Sequence, residues 1–113
     1  MMMTSYIALD LETTGLESKT EKITEAAALK VIDGTVRERF VTLINPGRPI
    51  SEKITQLTGI TDEMVRTAPL MENVIGELLA FCEGLPLLGH NILFDYRFLK
   101  QAAVNSRLEC EFE

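Results

Sequence analysis

The segment Ile7-Ala-Leu-Asp-Leu-Glu-Thr-Thr-Gly-Leu16 sets the tightest limit on what this chain can become. It opens as an apolar run of the kind that forms a buried strand, yet Asp10 and Glu12 stand inside it, where an ionised carboxylate is costly unless something compensates it. Strand side chains alternate with a period of two, so Tyr6, Ala8, Asp10 and Glu12 share one face while Ile7, Leu9 and Leu11 take the other. Two like charges on one small patch raise each other's pKa unless a cation lies between them. Hard carboxylate oxygens at this spacing suit Mg²⁺ or Mn²⁺. The same letters also suit a strand end reaching solvent, with Thr13-Thr14-Gly15 as an ordinary turn, so the pair takes its meaning from what the rest of the chain brings to it.

The chain has 113 residues, 46% of them hydrophobic and 25% charged, which suits one folded domain, 1–113, with a single core. No apolar run approaches about 20 residues, and Met1-Met2-Met3-Thr4 lacks a basic leader, so the expected location is cytoplasmic, without a membrane. A net charge of −6 argues against a broad phosphate-binding face, since affinity for a nucleic-acid backbone comes largely from Lys and Arg. It leaves room for an enzyme that grips one strand end through metal ions. Cys82 and Cys110 are too far apart for a metal knuckle or a C-x-x-C redox site, and Cys82 reads as a core thiol.

Ile23 to Ile32 reads as a second strand, and Asp33-Gly34 after it is a hairpin signal because Gly accepts the positive φ of a tight turn. Val36 to Ile44 is then the antiparallel third strand, with one face expected to be better buried. Asn45-Pro-Gly-Arg-Pro49 takes the chain out of the sheet. Ser51 can cap a short helix to about Leu57, ended by Gly59, and Thr61 opens another. Ile60, an apolar residue in the turn between them, reads on its own terms as a plug for the local core. Pro69 suits the first turn of a longer helix with Val74, Leu78, Phe81 and Cys82 on one face, ended by Gly84. Leu85 to Gly89 is a short strand that should lie parallel to its neighbour. Asn91 caps a last helix, Ile92 to about Val104, with Phe94, Phe98, Leu99, Ala102 and Ala103 inward and Asp95 in its first turn.

Gly89-His-Asn-Ile-Leu-Phe-Asp95 supplies a third acid at the junction of a strand and a helix. In a parallel pair that junction lies near the carboxyl end of the neighbouring strand, where Asp10 and Glu12 are. Three carboxylates are therefore expected to converge.

Read together, Asp10-Leu-Glu-Thr-Thr-Gly-Leu16 and His90-Asn-Ile-Leu-Phe-Asp-Tyr-Arg-Phe-Leu99 resemble the first two signature motifs of the DEDD 3′-5′ exonucleases. They are most similar to the DnaQ-like branch, that of the proofreading epsilon subunit and exonuclease domain of bacterial DNA polymerase III. Leu43-Ile-Asn-Pro-Gly-Arg-Pro-Ile50 and Leu57-Thr-Gly-Ile-Thr-Asp62 also look like that family, and the resemblance runs from Tyr6 to Asn105. It implies an α/β fold with an RNase H-like mixed sheet, three antiparallel strands plus a parallel strand, and flanking helices. It also implies two-metal hydrolysis of phosphodiester bonds at a single-stranded 3′ end of DNA or RNA, with a DNA polymerase subunit as a partner. Carried over by position, Asp10, Glu12 and Asp95 would be the catalytic metal ligands for two Mg²⁺ or Mn²⁺ ions. Leu11, Thr13 and Thr14 would sit beside the terminal nucleotide, Leu16 and Ile60 would wedge against its base, and Asn91 and Phe94 would complete the substrate site.

The likeness also implies a third motif, with a fourth acid and a general-base His, that does not occur before Glu113. His90, the one histidine, belongs to the second motif and reads as a structural residue at a strand end; Glu109, Glu111 and Glu113 read as a tail. The expectation is thus the first half to two-thirds of such a domain, with the C-terminal part of the fold absent, activity impaired and self-association through an exposed sheet edge. Two alternatives stand beside it. One is a non-catalytic nucleic-acid-binding or subunit-interaction module of the same fold. The other is a phosphatase of the haloacid dehalogenase type, disfavoured because Glu12 replaces the second Asp of its motif.

Overall fold

A computed structural model describes residues 4–108. Three strands come first, β1 (Tyr6–Thr13), β2 (Ile23–Ile32) and β3 (Thr35–Leu43), followed by α1 (Glu52–Thr58) and α2 (Asp62–Val65). A 3₁₀ turn at Met71–Asn73 leads into α3 (Ile75–Cys82), then β4 (Leu87–Leu88) and α4 (Ile92–Asn105). The sheet order is β3-β2-β1-β4, antiparallel across the first three strands and parallel between β1 and β4.

β1 therefore runs through the sheet interior, which is why its inward residues are continuously apolar. Ile7, Leu9 and Leu11 are buried, and Ala26 and Ala28 stand opposite Leu11 and Leu9 on β2. Small residues there let the helices approach closely. Ile75, Leu78 and Cys82 of α3 and Phe98, Leu99, Ala102 and Ala103 of α4 close the core over this face. A satellite cluster of Ile50, Ile60 and Val65 packs with Leu43 and Ile54 beneath the two short helices. The β2–β3 turn has Asp33 at φ 51° and Gly34 at φ 78°, the two left-handed residues that a two-residue hairpin matching the strand twist requires. Ser51 and Thr61 cap α1 and α2 through their hydroxyls, as their positions predict.

Lys30 is buried, yet its ammonium reaches Glu83 at 2.7 Å and Glu38 at 3.5 Å and lies 4.7 Å from the centroid of the Phe81 ring. Its pKa is raised, chiefly by the hydrogen bond to Glu83, so the charged form is the one the fold holds.

Several boundaries differ from the sequence reading. Residues Val36 to Ile44 are expected to have a buried face, but β3 is an edge strand: Phe40, packed on Phe81 at 5.6 Å, meets the main core, Leu43 meets the satellite cluster, and Ile44, just past the strand, is buried. The helix expected from Pro69 starts only at Ile75, because Asn45 donates its N–H to the Pro69 carbonyl at 2.9 Å and bridges to Leu70, holding that pair extended. β4 is two residues long rather than Leu85 to Gly89; Pro86 has no N–H to offer, and only its carbonyl takes part, accepting from Ile7 at 2.8 Å. Asn91 occupies the cap position of α4 without a side-chain cap hydrogen bond. The tail residues Glu109, Glu111 and Glu113 lie outside the described residues.

Thr24 is fully buried on β2, and its hydroxyl has no hydrogen-bond partner. An orphaned buried hydroxyl destabilises, so Thr24→Val, which keeps the shape, is expected to raise stability by about 1 kcal/mol in urea unfolding. A loss of stability on that change would mean that the hydroxyl is satisfied.

Candidate active site

The β4–α4 junction brings the third acid to β1. A side chain at Gly89 would stand 2.7 Å from the Leu9 carbonyl oxygen and 3.5 Å from Asp95 Oδ2, so only glycine lets the two segments come this close. Asp95, one turn into α4, is 5% exposed, and its carboxylate accepts a hydrogen bond from the backbone N–H of Leu11. Burial pushes the Asp95 carboxyl up to about 6, with the charges of Asp10 and then Glu12 adding to the rise and the Leu11 hydrogen bond opposing it. Glu12 is also raised, by burial first, then by Asp10 and by Glu25. The three acids therefore lie within electrostatic reach of one another, Asp95 in the seam, Glu12 half-buried and Asp10 exposed.

The other sequence-derived residues fall into three environments. Leu11 and Thr13 are buried on β1, and the Thr13 hydroxyl donates to the Gly15 carbonyl at 2.7 Å. Thr14 is half-buried, while Leu16 just beyond it is 87% exposed. Asn91 and His90 are exposed at the start of α4, and Phe94 is half-buried with its ring 5.0 Å from that of Phe98. Ile60 is 4% exposed within the satellite core, so it offers almost no surface to a substrate in this arrangement.

Two charged neighbours escaped the sequence reading. Glu25 stands directly across from Glu12 in the β1–β2 register, and Glu21 hydrogen-bonds Thr14. Glu25 carries the same signal that singled out Asp10 and Glu12, a carboxylate inside an otherwise apolar strand.

Asp10 borders an open groove of about 320 Å³ on the sheet face away from the core helices, lined also by Ala8, Ala27, Leu29 and Leu88. A second cavity, of about 240 Å³, lies between α4 and the β1–β2 loop, but none of Asp10, Glu12 and Asp95 lines it. Among the described residues no three His, Cys, Asp or Glu side chains stand, as they are placed, where together they could hold a metal ion. In kind the donors fit a hard cation: three carboxylates in mutual repulsion, with no ion pair to any of them among the described residues. No helix among the described residues is long and apolar enough to cross a membrane.

A family model described as an exonuclease, RNase T type, matches residues 7–112. DNA polymerase III PolC-type of Thermotoga petrophila is 42% identical over 96 residues, covering 85% of this chain and 7% of the relative. The PolC-type polymerase of Caldanaerobacter subterraneus is 41% identical over 106 residues, covering 94% of this chain and 8% of the relative. The chain thus spans less than a tenth of the polymerases it matches. Among solved structures, exonuclease I without ligand superposes with a TM-score of 0.81 at 18% identity over 96% of this chain and 26% of that one. Exonuclease X in complex with 5′ overhanging duplex DNA gives 0.71 at 30% identity, covering 93% and 54%. The mixed sheet of three antiparallel strands and one parallel strand is the RNase H-like fold expected from the sequence.

Asp95 yields a stability prediction. Its folded pKa of about 6 lies above the ordinary carboxylate value, so its contribution is fully favourable only below the unfolded pKa and is lost as pH rises through about 6. Without divalent metal, Asp95→Asn is expected to be more stable than wild type at pH 7 by about 1–3 kcal/mol, the gap closing by about pH 4. Urea unfolding in a chelator at both pH values checks it, and a constant gap would contradict it.

Proposed function

This chain belongs to the DnaQ-like exonuclease family, whose model spans residues 7–112, and we propose on that premise that it hydrolyses phosphodiester bonds from a free 3′ end. The observation that carries the reading is Asp95, a carboxylate buried against β1 and crowded by the charges of Asp10 and Glu12. We assign the whole of 1–113 to one exonuclease domain, with DNA as substrate and a replicative polymerase as its setting in the cytoplasm. The PolC-type relatives and the DNA bound to exonuclease X support that assignment.

Asp10, Glu12 and Asp95 would hold two Mg²⁺ or Mn²⁺ ions. Bound there, divalent cations supply Lewis acidity that polarises the scissile phosphate, activates a water and steadies the leaving oxygen. The remaining residues bind and orient. Leu11 anchors Asp95 through its N–H, and Thr13 and Thr14 fix the start of the loop that carries Leu16. Leu16 offers its exposed side chain to the terminal base, a contact tolerant of base identity. Phe94, backed by Phe98, gives a firm apolar wall, and the exposed Asn91 offers its amide to the terminal nucleotide. Ile60 would reach a base only after the satellite cluster opened, so Leu16 is the wedge in this conformation. No general base is assigned; His90 is an exposed turn residue.

Asp10→Asn tests the reading on a labelled single strand with Mn²⁺. Wild type is expected to shorten the strand slowly and stepwise from its 3′ end, as a site with no assigned general base allows, and the variant to lose all detectable cleavage while keeping its fold. A loss of only a few-fold would refute the shared site. Wild-type protein that binds strand ends without cutting them would favour the non-catalytic module of the same fold.

Strand choice gives a further expectation. A paired terminus must be unstacked first, at a cost of a few kcal/mol, so cleavage of frayed or single-stranded 3′ ends should outpace that of blunt duplex. Equal rates on the two would remove the wedge from the mechanism.

A further inference from the structure

The loop between β1 and β2 carries, beside the bonds that close its mouth, a side chain to which the proposed function gives no role: Glu21. At its mouth the Thr14 N–H donates to the Lys22 carbonyl at 2.8 Å, and the Lys22 N–H donates to the Thr14 hydroxyl oxygen at 2.9 Å. The Thr14 hydroxyl in turn donates to Glu21 Oε1 at 2.9 Å. That hydroxyl is thus fixed both as donor and as acceptor. The far side of the same carboxylate lies on Gly15: a Cβ there would stand 2.6 Å from Glu21 Oε2 and 2.7 Å from its Cδ. A side chain at Gly15 would move the flexible end of Glu21 aside, so the carboxylate as placed packs directly over a glycine.

Arg48, in the turn after β3, reaches Glu21 Oε1 at 3.3 Å. Both side chains of that ion pair are about a third exposed, so it adds little by itself. The hydrogen bond to Thr14 and the close approach to Gly15 carry the constraint. Leu16 follows immediately, 87% exposed, after Thr14, bonded to Lys22 and Glu21, and Gly15, whose carbonyl accepts from the Thr13 hydroxyl. An exposed apolar side chain on a fixed backbone can meet a base without a large ordering penalty at the moment of binding.

We propose that Glu21 is a positioning residue for the 3′ terminus: through Thr14 and Gly15 it fixes the loop that presents Leu16 to the terminal base. This rests on the exonuclease reading and deepens it, because it assigns recognition of the strand end to a residue that touches neither metal nor substrate. Glu21→Ala removes the acceptor of the Thr14 hydroxyl, which keeps its bond from the Lys22 N–H, and opens space over Gly15. Glu21→Gln keeps an acceptor at the same place and volume and loses only the ion pair to Arg48.

The test compares two fluorescent single strands of equal length and sequence in Mn²⁺, one linear with a terminal phosphorothioate linkage that resists cleavage, the other a closed circle with no end. Wild type is expected to bind the linear strand more tightly. Glu21→Ala should weaken linear binding about tenfold, the scale of one lost stacking contact, leave the circle unchanged, and be rescued by Glu21→Gln. A merely structural role would lower both affinities together. Equal loss on both strands, no loss on the linear one, or no rescue by Gln overturns the proposal while leaving the exonuclease reading in place. Wild type with no preference for the open end would defeat that reading first, and this proposal with it.

Discussion

The contact between the first turn of α4 and the middle of β1 is the one on which the rest of the structure depends. It exists because β4 is short. Along β1, alternate N–H groups point toward the same neighbour, and Ile7 donates to Pro86 on the β4 side. Leu11 is four residues on and faces the same way, but β4 has ended at Leu88, paired with Ala8, and offers nothing there. A buried N–H must find a partner, and Asp95 is the one it finds. The early end of β4 thus opens the sheet, Gly89 lets α4 into the opening, and Asp95 fills the vacated hydrogen-bond position. What looks like a truncated strand is the socket for a carboxylate.

How much of this was legible in the sequence depended on whether the signal was local. Ile23–Ile32 was readable to the residue because an apolar strand bounded by Asp33-Gly34 has one natural ending, and Ser51 and Thr61 announced α1 and α2 through side chains that cap their own helices. Asp10 and Glu12 stood out because charge inside an apolar strand is an anomaly visible without a fold, and Asp95 because it stands where a strand gives way to a helix. The failures were all non-local. Pro69 looks like a helix start until Asn45, from the end of the sheet, takes its carbonyl. The alternation in β3 promised a buried face that an edge strand does not receive. Ile60 carries no mark in the sequence to show whether it faces a ligand or the satellite core; three-dimensional packing decides that. Glu21 was invisible for the same reason, since its partners Thr14, Gly15 and Arg48 meet only once the loop closes.

Two kinds of buried charge can be told apart here by their compensation. Lys30, on the interior strand β2, has Glu83 and Glu38 about its ammonium and the Phe81 ring beside it, and its charged form is favoured by those partners. Removing one partner of such a group leaves a charge stranded, which is how a structural ion pair behaves. Asp95 and Glu12 are shifted in the direction of losing their charge, because their neighbours are other carboxylates. Among the described residues Lys30 and its acidic partners neutralise one another while no basic side chain pairs with Asp95, so one cluster is settled and the other is not.

That imbalance connects stability to function. Repulsion among Asp10, Glu12 and Asp95 opposes folding near neutral pH, and it persists because the same arrangement favours a cation. A ligand bound only by the folded chain stabilises it by RT ln(1 + [L]/Kd), about 2.7 kcal/mol at a hundredfold excess over Kd. This is the same order as the penalty of holding a carboxylate two pKa units above its ordinary value. A cation held among these acids would offset part of what Asp95 costs at neutral pH.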